Sequence, residues 1–214
     1  MIFRLDKRLL FPDTNLAEQD GLLAIGGDLS TARLLLAYQN GIFPWYNDDS
    51  PILWYSPHER FVLFPDELRV SKSTGQILRS NRFNITRDQC FEMVIEACSG
   101  INRKGQDGTW ITADMKAAYI HFHHQGYAHS VEVWHQDRLV GGLYGVQIGS
   151  VFCGESMFSL VSNASKMALI SLCQCGDYRL IDCQVHTEYL ESMGARMISR
   201  KEYTDMLQNN LPKR

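Results

Sequence analysis

The segment RLIDCQV places an aspartate and an amide two positions apart, Asp182 and Gln184, and the segment FCGESMFS sets one carboxylate, Glu155, inside an apolar run. Along a strand, residues 182 and 184 share a face, so the Gln184 NH₂ can donate to Asp182 while its oxygen faces a ligand. Burying an ionised carboxylate without a partner costs several kcal/mol. Each acid therefore needs a salt bridge, a turn that satisfies it, or a cationic ligand, and the three remain open at this point.

Other chemistry finds less support. No GxGxxG opens a helix, and neither a phosphate-binding P-loop nor a GxSxG elbow occurs, which removes the usual basis for a nucleotide cofactor or a serine hydrolase. His121, His123 and His124 lack a Cys or acidic companion and precede the helix-ending Gly126, where His suits the helix dipole, so no metal is expected. The six cysteines have no CxxC spacing and read as reduced core thiols. From Arg69 to Arg87 the chain carries Arg69, Lys72, Arg79, Arg82 and Arg87 without an acid, which is either a solvated face or a phosphate-binding patch. Trp45, Tyr46, Trp54 and Tyr55 crowd a Pro-punctuated stretch, as a satellite core or a stacking platform.

Punctuation and period predict the elements that hold these residues. Ser30 caps a short helix stopped by Gly41, and RFVLFPDELRV reads as two strands broken at Pro65-Asp66. Helices are expected over Asp88 to Cys98 and from Thr112 to Gly126. A three-strand meander follows, turning at Gln136-Asp137 and at Gly149, then a helix over SNASKMALISLCQCG, the strand RLIDCQV, and a short helix from Thr187 to Gly194. That order predicts an α+β fold with a small N-terminal domain over residues 1–62 and a larger domain over 63–214.

The 45% hydrophobic content of the 214 residues supplies a core, and 21 basic against 24 acidic residues exclude a cationic coat over the whole chain. A polyanion partner must be held by a local patch. MIFRLDKRLLF is no secretory leader and no run reaches a membrane span, so a soluble cytoplasmic protein, monomeric by default, is expected.

The runs GLLAIGGDLS, GIFPWY, ILWYSP, GTWIT, LVGGLYGV, FCGESMFS, NASK and LIDCQV, in this order, resemble the leucyl/phenylalanyl-tRNA-protein transferases from about Gly21 to Gly194. The resemblance implies a C-terminal domain of the GNAT acyltransferase fold. It also implies transfer of Leu or Phe, and Met more weakly, from aminoacyl-tRNA to proteins with N-terminal Arg or Lys, without a cofactor. Asp182 and Gln184 fall on the implicated pair, with Asp182 orienting Gln184 and Gln184 accepting from the attacking amine. Glu155 is expected at the mouth of the site, facing a cation. Leu143, Met157, Leu169, Leu172 and Ile181 would form the aminoacyl side-chain pocket, Trp45 and Trp110 would hold the 3′-adenosine, and Lys72, Arg79, Arg69 and Arg82 the tRNA phosphates. Tyr189 stands where the family usually has His, and Gln76 where a cation is expected. The competing readings are a small-molecule N-acyltransferase of the same fold and a non-catalytic binder of tRNA or basic N-termini.

Overall fold

The computed structural model describes residues 2–101 and 111–209. The N-terminal region builds a four-stranded sheet in the order β1 (Phe3–Leu5), β2 (Leu22–Gly26), β4 (Leu53–Tyr55), β3 (Phe43–Pro44). Helix α1 (Thr31–Gln39) lies between β2 and β3; the Ser30 hydroxyl caps its start, and Gly41 follows its end at φ +70°.

The larger sheet has seven strands in the order β11 (Arg196–Ser199), β5 (Glu59–Leu63), β10 (Leu180–Gln184), β9 (Val151–Ser159), β8 (Arg138–Ile148), β7 (Ala128–His135), β6 (Asn84–Arg87). Among the described residues of this sheet, only β9 and β10 pair in parallel. Strand β5, which straddles the expected boundary at residue 62, belongs to this sheet.

Helices α3 (Phe91–Ser99) and α4 (Ala113–His124) cover one face, where their apolar residues merge with the N-terminal sheet and α1 into a common core. Helix α5 (Ala164–Gln174) covers the other, over Val131, Leu143, Phe152 and Ile181. The meander's glycines permit close approach: a Cβ on Gly141 would stand 2.5 Å from that of Ala164 at the start of α5, and one on Gly145 would stand 2.3 Å from the Cys153 carbonyl oxygen. Gln136 and Asp137 form the β7–β8 turn with φ of 51° and 59°, as the predicted two-residue hairpin requires.

Two expectations need correction. RFVLFPDELRV is not a strand pair: β5 ends at Leu63, and Pro65, which cannot donate to a ladder, opens a 3₁₀ turn over Pro65–Glu67. The predicted helix at Asp88 starts instead at Phe91, because Asp88 takes a left-handed φ of 53° and accepts from the Ser130 N–H. Beyond α6 (Glu188–Ser192), β11 pairs with β5, and α7 (Arg200–Asn209) packs back on the sheet.

Candidate active site

Strands β9 and β10 stay in register only over three pairs, Leu180 with Val151, Ile181 with Phe152 and Asp182 with Cys153, and then part. Each carries a bulge at that point. Opposite β8, Glu155 is the extra residue between Gly154 and Ser156; opposite β5, Cys183 is the extra residue between Asp182 and Gln184. A bulge re-aims the side chains beside it. Here two of them turn Glu155 and Gln184 toward each other, and the Gln184 amide donates through Nε2 to Glu155 Oε1 at 2.9 Å.

This replaces the expected partnership. Strict alternation would put the side chains of 182 and 184 on one face, but the bulge and the left-handed φ of 61° at Gln184 break that period. Asp182 meets Gln184 through the backbone instead, accepting the Gln184 N–H at Oδ1 over 2.9 Å. The rest of its capacity is filled by Arg60, whose Nε and Nη2 donate to its two oxygens, and by the Tyr203 hydroxyl at 2.7 Å.

Arg60 and Asp182 are both fully buried, and the guanidinium lies between the rings of Phe43 and Tyr203 at 4.7 and 4.6 Å. Its Nη1 also donates to the Gly41 carbonyl. Buried charge is tolerated when it is paired and hydrogen-bonded in this way. The clamp therefore ties β5, β10, α7 and the loop after α1 to one carboxylate.

Glu155 is not at a mouth but in the wall, 7% exposed. Burial pushes its pKa up to about 7 against the pull of hydrogen bonds from Tyr38, Tyr119 and Gln184, with the Asp182 charge adding to the rise.

The parted strands open a cleft of about 500 Å³. Its walls include Glu155, Asp182 and Gln184, all five residues expected of the side-chain pocket (Leu143, Met157, Leu169, Leu172 and Ile181), and Trp45. Of the aromatic cluster, Trp54 and Tyr46 are core, whereas Trp45 is 40% exposed at the rim, tilted against Tyr55. Trp110 lies outside the described residues. Lys72 and Arg79 stand at the two ends of α2 (Lys72–Arg79), with Arg69 before it and Arg82 after it; all four are exposed and none lines this cleft. Arg82 borders a separate polar cavity with Trp134 and His135. His123 is a packing residue, stacked on Phe91 at 4.3 Å and bonded to the Ala128 carbonyl oxygen.

Sequence reasoning missed Arg60, Tyr203, Tyr38 and Tyr119. Arg60 had a readable signal, a lone cation opening the apolar run RFVLF, parallel to Glu155 in its own run. Tyr203 had none, because its helix carries mostly polar residues and buries only Tyr203 and Leu207.

The thiol in the cleft, Cys183, is a poor nucleophile, since burial raises its pKa far above the ordinary value. A mixed sheet with a parting parallel pair, an apolar slot, and an amide and a carboxylate beside it make the architecture of an acyltransferase-class cleft. The chain belongs to the leucyl/phenylalanyl-tRNA protein transferase family, whose model matches residues 62–208, while the model of the family's N-terminal domain matches residues 27–58.

Relatives carrying that name are found in Syntrophobacter fumaroxidans, 54% identical over 99% of this chain and 92% of the relative, and in Syntrophus aciditrophicus, 55% identical over 97% and 88%. Among solved structures, a GCN5-related N-acetyltransferase from Kribbella flavida covers 73% of this chain and 56% of its own at a TM-score of 0.38 and 12% identity, a distant likeness. Among the described residues no helix is long and apolar enough to cross a membrane.

Proposed function

We propose that this protein transfers Leu or Phe, and Met more weakly, from aminoacyl-tRNA to the α-amino group of proteins that begin with Arg or Lys, marking them in the cytoplasm for proteolysis. One observation carries the reading: the Gln184–Glu155 contact lies in the same cleft as the five apolar residues and Trp45. With its nitrogen committed to Glu155 and the residue lining the cleft, the Gln184 amide keeps its oxygen as the group to accept from an incoming amine. Asp182 then serves as a positioning residue, holding Gln184 through the backbone rather than touching substrate.

The energetics favour orientation over covalent catalysis. An α-amine with a pKa of about 7.8 is already partly neutral near pH 7, so deprotonating it accounts for roughly 1 kcal/mol of the barrier. Fixing amine and ester in attack geometry supplies up to about 7–11 kcal/mol. A tRNA ester is an activated donor, so the half-buried Cys183 thiol has no necessary part.

In this reading the aminoacyl side chain enters between Leu143, Leu169, Leu172 and Ile181, with Met157 as the deformable wall that accepts both a branched and a planar guest. Met157→Ala is expected to change the ratio of kcat/KM for leucyl- and phenylalanyl-tRNA by about 10-fold, since shape discrimination of this kind is worth about 1–3 kcal/mol. The KM for the acceptor peptide should stay within about twofold, and competition between the two donors measures both.

Trp45 stacks on the 3′-terminal adenosine, with Trp110 as its companion, and Lys72, Arg79, Arg69 and Arg82 contact acceptor-stem phosphates from the exposed surface. Stacking contributes on the order of 1–3 kcal/mol per base, so Trp45→Ala should weaken aminoacyl-tRNA binding about 5- to 100-fold in a filter-binding titration. Its exposure on the rim means the fold should lose little.

The decisive experiment incubates the protein with labelled leucyl-tRNA and an Arg-initiated peptide and looks for labelled peptide. Transfer from acetyl-CoA in its place would favour a small-molecule acyltransferase, and binding without transfer would favour a recognition module.

A further inference from the structure

The mechanism above uses the face of Glu155 that meets Gln184 and leaves its other oxygen unexplained. That oxygen, Oε2, accepts from the Tyr119 hydroxyl at 3.2 Å, and the Tyr119 hydroxyl is in turn in close contact with the hydroxyl of Tyr38. Both tyrosines are fully buried, one on α4 and one on α1, at 0% and 1% exposure. Two helices from different parts of the chain are therefore joined, through their hydroxyls, to the carboxylate at the bulge of β9.

We propose that Tyr119, backed by Tyr38, positions the Glu155 carboxylate as the acceptor of the proton that the incoming α-ammonium must lose. The proposal rests on the reading that an α-amine attacks an aminoacyl ester in this cleft. The ammonium gives one proton to Glu155, converting carboxylate to carboxylic acid. The freed lone pair on nitrogen attacks the ester carbonyl carbon, and the C–N bond forms. The C–O bond to the ribose then breaks, and its oxygen takes the second nitrogen proton. Glu155 returns its proton to solvent after the product leaves.

Three features favour this role over a structural one. Every group bonded to the carboxylate is a donor: Tyr119 on one oxygen and the Gln184 amide on the other, with the Tyr38 hydroxyl against that of Tyr119 and also pulling on the carboxylate. A carboxylate accepts at about four lone-pair sites, so an ammonium in the cleft still finds room. The tyrosines also cannot yield their own protons, because burial together with the Glu155 charge raises both hydroxyls well above their ordinary pKa. Buried hydroxyls of this kind hold the ionised form against the desolvation that opposes it, leaving Glu155 poised near pH 7, where a proton acceptor works best.

The other groups around it are few. On β10, Asp182 disfavours a second negative charge, but its own charge is neutralised by Arg60 of β5 and bonded by Tyr203 of α7. On β9 itself the Cys153 thiol is kept protonated by burial, and on β8 the Tyr144 ring stands edge-on to Tyr119 at 5.8 Å.

The test is the pH dependence of kcat/KM with leucyl-tRNA and an Arg-initiated peptide, for wild type, Tyr119→Phe, Tyr38→Phe and Glu155→Gln. Loss of the Tyr119 bond should raise the acid limb by about one pH unit, so the variant loses about 10-fold near pH 6 and less than about twofold near pH 9. Tyr38→Phe should move the limb in the same direction by less, and it keeps the test available if Tyr119→Phe folds poorly. Glu155→Gln should remove the enzyme's share of the limb and leave a low rate. The peptide amine titrates identically in every variant, so differences between profiles belong to the protein. A uniform fall at every pH, or an unmoved limb in both tyrosine variants, overturns the proposal. An absence of product from the wild type at any pH would instead overturn the transfer reaction itself.

Discussion

An Asp182→Asn enzyme is expected to lose transfer activity and a large part of its stability together. The amide that replaces the carboxylate cannot neutralise Arg60, which remains buried among Phe43, Tyr203 and the Gly41 carbonyl with its charge uncompensated. Breaking one member of a buried ion pair costs about 3–5 kcal/mol, far more than the intact pair contributes over an apolar replacement. For a chain of this size about 1 kcal/mol moves the melting temperature by roughly 2–4 °C, so a fall on the order of 10 °C is expected in a thermal melt.

Activity falls for a separate reason. Asp182 Oδ1 anchors the Gln184 N–H at the bulge, and without that anchor the amide no longer meets Glu155 in register. The double replacement Arg60→Met with Asp182→Leu separates the two effects: it should recover most of the stability by removing both charges, yet none of the transfer. An Asp182→Asn protein with an unchanged melt and near-normal turnover would show that the clamp organises nothing.

Glu155→Gln is expected to do the opposite to stability while also abolishing efficient transfer. The carboxyl has an ordinary value of 4.5 and stands at about 7 in the fold, because burial disfavours its charge. A group raised in this way adds stability in full below its unfolded value and loses it as pH rises through the folded value. Above pH 7 the native state therefore carries a buried charge that the unfolded chain holds in water. Glutamine stays neutral throughout: its oxygen can still accept from Tyr119, and a flip of the Gln184 amide lets the Gln184 oxygen accept from the new NH₂. The variant should match the wild type near pH 4.5 and exceed it above pH 7, by an amount on the order of 2–3 kcal/mol. Urea unfolding midpoints at pH 5 and pH 8 check this, and equal midpoints at both would show that the charge is not a burden on the fold. Stability surrendered at a reactive group is the usual relation between an active site and its scaffold.

Much of this was readable along the chain where local rules govern. The caps of α1 and α4 at Ser30 and Thr112, the Gln136-Asp137 hairpin and the meander follow from hydrogen bonds and steric preferences between near neighbours. The five apolar cleft residues were named by resemblance, and they do converge on one cavity. Errors arose where a nonlocal partner overrode a local pattern. Pro65 ended β5 when a second strand was expected, and β11 formed from the weakly patterned RMIS because β5 offered it a free edge. The period-two argument for Asp182 and Gln184 failed at a bulge, which adds one residue and leaves no signature in composition.

By itself the sequence determined the order of the helix–meander–helix–strand unit, the family resemblance, and the anomaly of charged residues in apolar runs, since each depends on residue types and short spacings. Only the tertiary structure decided what those charges meet. Asp182 meets Arg60, 122 positions earlier, and Tyr203, 21 positions later; Glu155 meets Tyr119 and Gln184, 36 and 29 positions away. A buried charge must find its compensation wherever the packed chain brings a donor, and separation along the chain does not constrain that choice. The same residues that look misplaced one by one become a clamp and a proposed proton acceptor once two strands part between them.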